Sequence, residues 1–385
     1  MKQSSEKIEH IQYIFNGRFP SEKAHALYVA KVCEAFCNKN IEVTLVVPKR
    51  VRSSQEKYNT FFGMPESFKV VYIPTLDLYS VLPNKIAFFL HYVCFSVLTF
   101  CYLLRLSGSS SFIFSHDSVM SILATVVSKN VVYEVHDYPG KFRFLFRLLF
   151  KRVHLIITQN QLKKDALVRD FQIDEALVFV EPNAVEIEKF NLEISRDEAR
   201  KKLVLPEDAF LVLYTGHLFA WKGVDVLAEA AKLCSGKTTV YFVGGSDHDV
   251  VSFREKYSSV PNIVIVGHKP HAEIPLWQKA ADCLVLPNTA KEAISNVQTS
   301  PMKLFAYMAS RRPIVASNLA SVREIVSEKE VVFVDPDDPQ ILASAFEEIK
   351  LHPELYIAKT EAAYERVRTH TWEKRAERIL AKLTV

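Results

Sequence analysis

Residues 284–317, LVLPNTAKEAISNVQTSPMKLFAYMASRRPIVAS, decide how this chain is read. The apolar run 283–286 has the length and β-branched content of a buried strand, and a polar loop follows it. Thr299-Ser300-Pro301 then predicts a helix start, with a hydroxyl at the cap and proline in the first turn. Leu304, Phe305, Met308 and Ala309 supply the helix's apolar face, Arg311-Arg312-Pro313 ends it, and 314–316 begins another strand. A helix N-terminus at the carboxyl end of a parallel strand is a place for anions, because its free N–H groups point outward and its dipole favours negative charge. Pro301 has no N–H, so the expected donors are the amides of Met302, Lys303 and Leu304, with the Ser300 hydroxyl beside them. An ordinary capped helix in an α/β sheet has the same local sequence.

Outward from this stretch, short β-branched runs alternate with helical patterns. One series of strands is expected at 11–15, 42–47, 70–73, 112–114, 131–135 and 155–158. A second is expected at 211–214, 240–243, 263–266, 283–286, 314–316 and 331–334. Two parallel-sheet α/β domains in tandem produce this alternation, and 385 residues suffice for two. The boundary is expected near residue 185, with 181–191 as the link. Six cysteines show neither C-x-x-C nor zinc-finger spacing, which suits a reduced, cytosolic chain. The first residues, MKQSSEK, lack a signal peptide's apolar segment. Residues 1–185 hold 22 Lys/Arg against 16 Asp/Glu (+6), and 186–385 hold 26 against 28 (−2), summing to +4. The first half is therefore the better candidate for an anionic surface, although the excess is small.

Several loops fall where the carboxyl edge of a sheet is expected. After the first strand, Gly17 and Pro20 break the chain and Ser21 is placed to cap a helix beginning near Ala24. This is not a G-x-G-x-x-G dinucleotide loop. His136 directly follows the strand 131–135. In the second half, Gly216, His217, Lys222 and Gly223 follow 211–214. Gly216 permits a tight turn there, and Lys222 offers a compact charge for a diphosphate. Six of the ten glycines lie between 216 and 267, but no Walker loop is present.

Two segments bear on membranes. Residues 86–104 carry no formal charge and are long enough, at ~28 Å as a helix, to reach across a bilayer. A spanning helix would separate the strands 70–73 and 112–114, so a buried helix or one lying against a membrane is expected. Residues 141–152, KFRFLFRLLFKR, place Arg143, Arg147 and Lys151 on one helical stripe, with Phe142, Phe146 and Phe150 among the aromatic residues around it. This pattern suits an anionic membrane surface and equally a core helix with one solvated face.

Taken together, 20–25 (PSEKAH), 133–139 (YEVHDYP), 214–227 (YTGHLFAWKGVDVL), 263–287 and 299–317 resemble the retaining GT-B glycosyltransferases of the glycosyl transferase group 1 (family four) type, in family order and over nearly the whole chain. The resemblance implies an α/β fold of two Rossmann-like domains facing across a deep cleft. Residues 1–185 would bind the acceptor and 186–365 the nucleotide sugar, while 366–385 would form a helix crossing back to the first domain. It implies that Lys222 and His136 are catalytic, Lys222 stabilising the departing nucleotide and His136 lying beside the transferred sugar. Donor contacts would come from Gly17, His217, Lys222, Gly223, Gly267, His268, Gln298, Ser300, Pro301, Met302, Lys303 and the position of Ala306. A hexose would pass with retention from a UDP- or GDP-sugar to a lipid-linked or polysaccharide acceptor. No metal, separate cofactor or nucleic acid is expected, and the location would be peripheral, at the inner face of the cell membrane.

One departure stands out. The family commonly has two glutamates with seven residues between them, the second within LFEYMA. Here the positions are Gln298 and Ala306. Loss of a charged acceptor for the ribose hydroxyls is worth ~1.5–3 kcal/mol, roughly ten- to hundredfold in affinity. A compensating acceptor, an introduced substitution that weakens the enzyme, and a non-catalytic subunit scaffolding an active partner are the open readings. A sugar-nucleotide epimerase, needing no acceptor, is a further one.

Overall fold

The computed structural model of the protein describes residues 8–50, 56–106, 111–298 and 300–384. The chain divides into two compact units, Met1–Glu181 with Trp372–Val385, and Pro182–Thr371. The sequence reading placed these boundaries at 185/186 and 365/366. The expected link is not loose. Val185, Ile187 and Phe190 are buried in the core of the second unit, and the helix Ile187–Phe190 lies within it.

The first unit has seven strands: β1 (His10–Ile14), β2 (Glu42–Lys49), β3 (Lys69–Pro74), β4 (Phe112–Ser115), β5 (Val131–Val135), β6 (Leu155–Thr158) and β7 (Val178–Val180). All pair in parallel in the order β3-β2-β1-β4-β5-β6-β7. Strand β7 was not foreseen from sequence. Three residues against Glu181-Pro182 are too few to show a period, and pairing with β6 alone defines them. The helix Ala24–Cys37 starts at Lys23 without a side-chain cap, so Ser21 does not cap it. Ser21 is buried instead.

The second unit has β8 (Phe210–Thr215), β9 (Thr238–Val243), β10 (Ile263–Gly267), β11 (Cys283–Leu286), β12 (Ile314–Ser317) and β13 (Val332–Val334), all parallel in the order β10-β9-β8-β11-β12-β13. Successive side chains leave a strand on opposite faces, and the cores follow that rule. Leu211, Leu213, Leu284 and Leu286 join one cluster, while Val212, Tyr214, Cys283 and Val285 join the other. Burial on both faces explains why these strands read as continuous apolar runs. Fully buried Arg200 ties the edges together, donating to Ala280 O (2.9 Å), Ala209 O (2.9 Å) and the Asp282 carboxylate just before β11.

Each sheet has one point where strand order reverses: β1 beside β4 in the first, and β8 beside β11 in the second. Loops leaving the carboxyl ends of such a strand pair splay apart and open a crevice.

The helix Asn84–Arg105 is long and apolar enough to cross a membrane, with one-third of its most apolar window buried. It packs on β3 and on the helix Ser118–Val127. It buries His91, Ser96 and Thr99 and exposes Ile86, Phe88, Phe89, Val93 and Val97.

The last helix, Trp372–Leu383, places Arg375 inside the first unit, 2.8 Å from the Glu134 carboxylate, with both side chains buried. Burial alone would raise the Glu134 carboxyl. Arg375, then His136 and Tyr28, reverse this and hold it well below the usual range. Removing one partner of such a pair leaves an uncompensated buried charge and costs about 3–5 kcal/mol. Arg375→Met should therefore lower unfolding stability of the first unit by that amount. Adding Glu134→Gln, which keeps acceptors for Tyr28 and Gln159, should recover part of the loss. Denaturant titration followed by a reporter in the first unit measures this, and a loss under about 1 kcal/mol rules out the pair as a determinant of stability.

Candidate functional site

In the second unit the expected site residues gather at the reversal between β8 and β11. Gly216 continues β8 with φ 127°, a backbone conformation that side chains oppose. His217 follows, its carbonyl accepting from Tyr214 Oη at 2.6 Å and its ring stacked on Phe219 at 4.9 Å. One 3-10 turn, Ala220–Lys222, leads to Gly223 with φ 71°. A Cβ on Gly223 would lie 1.8 Å from Pro287 O, so only glycine lets this turn seat against the end of β11. The same turn packs on the π-helical turn Ile294–Gln298. Such π turns are concentrated at functional sites.

The helix carrying the expected anion site runs Met302–Ala309. Its N-cap is Pro301, which has no capping side chain, so the predicted hydroxyl cap is not what starts it. Thr299 lies outside the described residues. Ser300 is buried and tethered to Asn183, whose side-chain amide donates to Ser300 O at 2.5 Å. Leu304 N–H is already bonded to Pro301 O at 2.9 Å, which removes it from the expected donor set. Met302 and Lys303 remain as first-turn amides without intrahelical acceptors.

The side chain of Lys303 is the main surprise. Sequence reading gave this residue an amide role only. Its ammonium is sealed from solvent, meets no hydrogen-bond acceptor among the described residues, and sits 3.9 Å over the Tyr214 ring. It also lies 3.4 Å from where a Cβ of Gly216 would be. Burial, and then the charge of Lys222, push it well below its ordinary value. Lys222 has its ammonium 3.9 Å over the Trp221 ring, and burial pulls it down to about 8. His217 is lowered by burial, then by Lys222, with smaller contributions from Lys303 and His268. His268 follows Gly267 at the end of β10, and Gly267 O accepts from Gly244 N at 2.8 Å. Two ammonium groups and two imidazoles thus converge on one strand edge beside a helix N-terminus. Two lysine side chains held near each other, one of them without an acceptor among the described residues, suit an anion of more than one charge. Gln298 is half-buried on the π turn, and Ala306 is 8% exposed, one turn into the helix, with only a methyl to offer.

In the first unit, Gly17 lies in the turn after β1, against the Phe15 ring. His136 follows β5, with its Nε2 3.4 Å from Glu134 Oε1. Lys163, buried and lowered by burial to about 8, donates to His136 O (2.9 Å) and Val135 O (3.1 Å) and so fixes that loop. His25 and His116 stand beside His136. Sequence reading passed over both as candidate site residues. The available signal was that His116 directly follows a strand, as His136 does, and that the loop after β1 leads to His25.

The expected membrane segment needs correction. Phe150 is 1% exposed and packs edge-on against Phe171, while Phe146 is half-buried between Tyr133, Phe150 and Phe171. The helix is Arg143–Phe150, one turn shorter than its sequence pattern, so its inner face must fill the core. Arg143 lies over the Phe171 ring and donates to Asp170 O. Phe142 and Phe144 are the exposed aromatics, at 69% and 67%, with Arg147 and Lys151 also exposed.

With that geometry established, likeness to known proteins is informative. Residues 209–350 match the family described as glycosyl transferases group 1. The chain is 25% identical over 201 residues to D-inositol 3-phosphate glycosyltransferase 1 of Catenulispora acidiphila, covering 48% of this chain and 46% of that protein. It is 22% identical over 240 residues to the putative teichuronic acid biosynthesis glycosyltransferase TuaC of Bacillus subtilis (62% and 57%). It is 23% identical over 230 residues to an Escherichia coli UDP-Gal:alpha-D-GlcNAc-diphosphoundecaprenol alpha-1,3-galactosyltransferase (53% and 57%). These matches span about half the length of the curated relatives. In fold the chain is similar to Anabaena HepE, solved in complex with UDP, with a TM-score of 0.75 at 16% identity over 98% of this chain and 99% of that one.

Replacing Lys303 by methionine removes a sealed charge and keeps the aliphatic stem. Lys303→Met should stabilise the ligand-free protein by about 1–3 kcal/mol at pH 7. A lysine lowered on folding binds fewer protons folded than unfolded, so its penalty is full below its lowered folded value and fades as pH rises from there toward about 10.4. The variant's advantage should shrink accordingly. Urea unfolding at pH 7 and pH 9.5 reads both effects, and a variant less stable than the parent at pH 7 refutes the assignment.

Proposed function

Since residues 209–350 match the glycosyl transferases group 1 family and the chain has two Rossmann-like sheets similar to those of GT-B glycosyltransferases, we propose that this protein transfers a hexose. The donor is a UDP- or GDP-sugar, the acceptor a lipid-linked or polysaccharide glycan, and the anomeric configuration is retained. The unsatisfied ammonium of Lys303, beside Lys222 at the start of the helix Met302–Ala309, is the observation that carries this reading. A donor diphosphate supplies the missing acceptor.

In this reading the amides of Met302 and Lys303 and both ammonium groups hold the diphosphate. Breaking the sugar–phosphate bond builds negative charge on the leaving oxygen. Fixed cations in a partly desolvated site oppose that charge without having to reorganise. No metal is needed for the step. Gln298 bonds the donor sugar, Ser300 and Gly223 keep the turns in place, and Gly267-His268 lies toward the base. His136 contacts the transferred sugar, and Gly17 belongs to the turn approaching the diphosphate. Retention follows same-face attack by the acceptor. Relatives named for a GlcNAc-diphosphoundecaprenol acceptor and for teichuronic acid biosynthesis support the acceptor class.

A second reading, a weakened or non-catalytic scaffold subunit, is favoured by Ala306, whose methyl gives the ribose hydroxyls no acceptor. Calorimetry with UDP and GDP separates the two. The catalytic reading expects saturable binding of one nucleotide that weakens about tenfold from pH 7 to pH 9, as Lys222 loses its proton near 8. The Lys222→Arg protein should lose the part of that dependence that Lys222 supplies, since guanidinium stays charged. Ala306→Glu should tighten binding roughly ten- to hundredfold. If neither the parent nor the Ala306→Glu protein binds or turns over any nucleotide sugar, the transferase reading is lost.

The protein is further proposed to work at the inner face of the cell membrane, with the first unit against anionic lipid. Exposed Phe142 and Phe144, the cations Arg147 and Lys151, and the apolar face of the helix Asn84–Arg105 support this. Co-sedimentation with phosphatidylglycerol vesicles should be strong, and Phe142→Ser with Phe144→Ser should weaken it several-fold. Equal sedimentation of parent and variant would discard this surface.

A further inference from the structure

The strand-order reversal of the first unit carries a cluster that the sugar-transfer reading does not use as a whole. His25 comes from the first turn of the helix after β1, His116 directly follows β4, and His136 directly follows β5. One ring nitrogen from each lies within 4.8 Å of the other two. Nε2 of His25 and Nδ1 of His116 are buried and meet no hydrogen-bond partner among the described residues, while His136 Nε2 faces the Glu134 carboxylate at 3.4 Å. Buried ring nitrogens left unsatisfied are costly, and one ion held by the three rings can satisfy them.

The spacing suits a tetrahedral ion. Ring centres are 4.2 Å apart for His25–His116, 4.9 Å for His25–His136 and 5.1 Å for His116–His136. Zinc at about 2.0–2.1 Å from each nitrogen sets imidazole centres about 5 Å apart, so small ring rotations complete the set. The Glu134 carboxylate, 3.4 Å from His136 Nε2, is near enough to offset the added charge.

We propose that His25, His116 and His136 form a binding site for a zinc-class divalent transition-metal ion, with a fourth coordination position left open. Loading the site draws His136 into coordination and takes it away from the sugar. Zinc therefore acts as an inhibitor of transfer, not as its cofactor. That consequence rests on the role given to His136 above, whereas metal binding itself does not.

Binding is tested on the full chain without any sugar nucleotide, so its failure and the failure of the transferase reading are distinguishable. Cobalt(II) titration should give the visible absorption of a four-coordinate ion at one equivalent, bleached by stoichiometric zinc. Zinc affinity, measured against a chromophoric chelator, should fall at least tenfold in His116→Ala and in His25→Gln. The exposed His154→Ala serves as a control that should bind as the parent does. Circular dichroism checks that each variant is folded. The proposal is overturned if the parent gives no such cobalt spectrum, or if folded His116→Ala or His25→Gln binds zinc as tightly as the parent. It is equally overturned if His154→Ala loses as much affinity as they do, since the ion would then be held adventitiously.

Discussion

A buried ammonium without an acceptor among the described residues is the constraint around which the second unit is arranged. Lys303 Nζ is sealed against the Tyr214 ring and faces the charge of Lys222. Nothing in folding alone rewards that arrangement, because an unpaired cation loses its hydration and gains little in return. The surrounding packing has to enforce it. Gly223 seated on Pro287 O fixes the turn bearing Lys222, and the buried helix face of Leu304, Phe305, Tyr307 and Met308 fixes Lys303. Tyr307 Oη also accepts from Thr215 N at 3.0 Å, locking that helix to the end of β8. Stability supplied by the core thus maintains a site that is electrostatically poised for a multiply charged anion.

The first unit shows the opposite solution to the same problem. Its buried acid, Glu134, is fully engaged by Arg375, Tyr28 and Gln159. The two partners of its main ion pair are 241 positions apart in sequence, so the C-terminal helix completes a pocket begun by β5. What the carboxylate leaves unsatisfied is the histidine group beside it. Charge is neutralised in one unit and left open in the other, and both patterns occur at the strand-order reversal, where loops splay and side chains reach a common space.

The aromatic-basic segment shows how composition misleads at the level of single residues. Its sequence is nearly all phenylalanine, leucine and arginine, so any face could be either inside or outside. Docking onto β5 and the helix Gln161–Phe171 chose Leu149 and Phe150 for the core and left Phe142 and Phe144 in solvent. A similar choice put His91, Ser96 and Thr99 on the inner side of the helix Asn84–Arg105 together with Phe95 and Leu103, and left Phe88 and Phe89 outside.

The sequence by itself determined the two parallel sheets, because strands buried on both faces must be continuous apolar runs and crossover helices must separate them. Of the thirteen strands among the described residues, only β7 was too short to show this. It also determined where Gly216, Lys222, Gly223 and the helix after Pro301 fall along the chain, since turn and cap chemistry is local. Only the tertiary structure decided that the Lys303 side chain points into the same site as Lys222, that Leu304 N–H is already taken, and that His25, His116 and His136 meet. Those facts depend on which strands become neighbours and how far each loop reaches. Such relations join residues tens to hundreds of positions apart, and no local pattern records them.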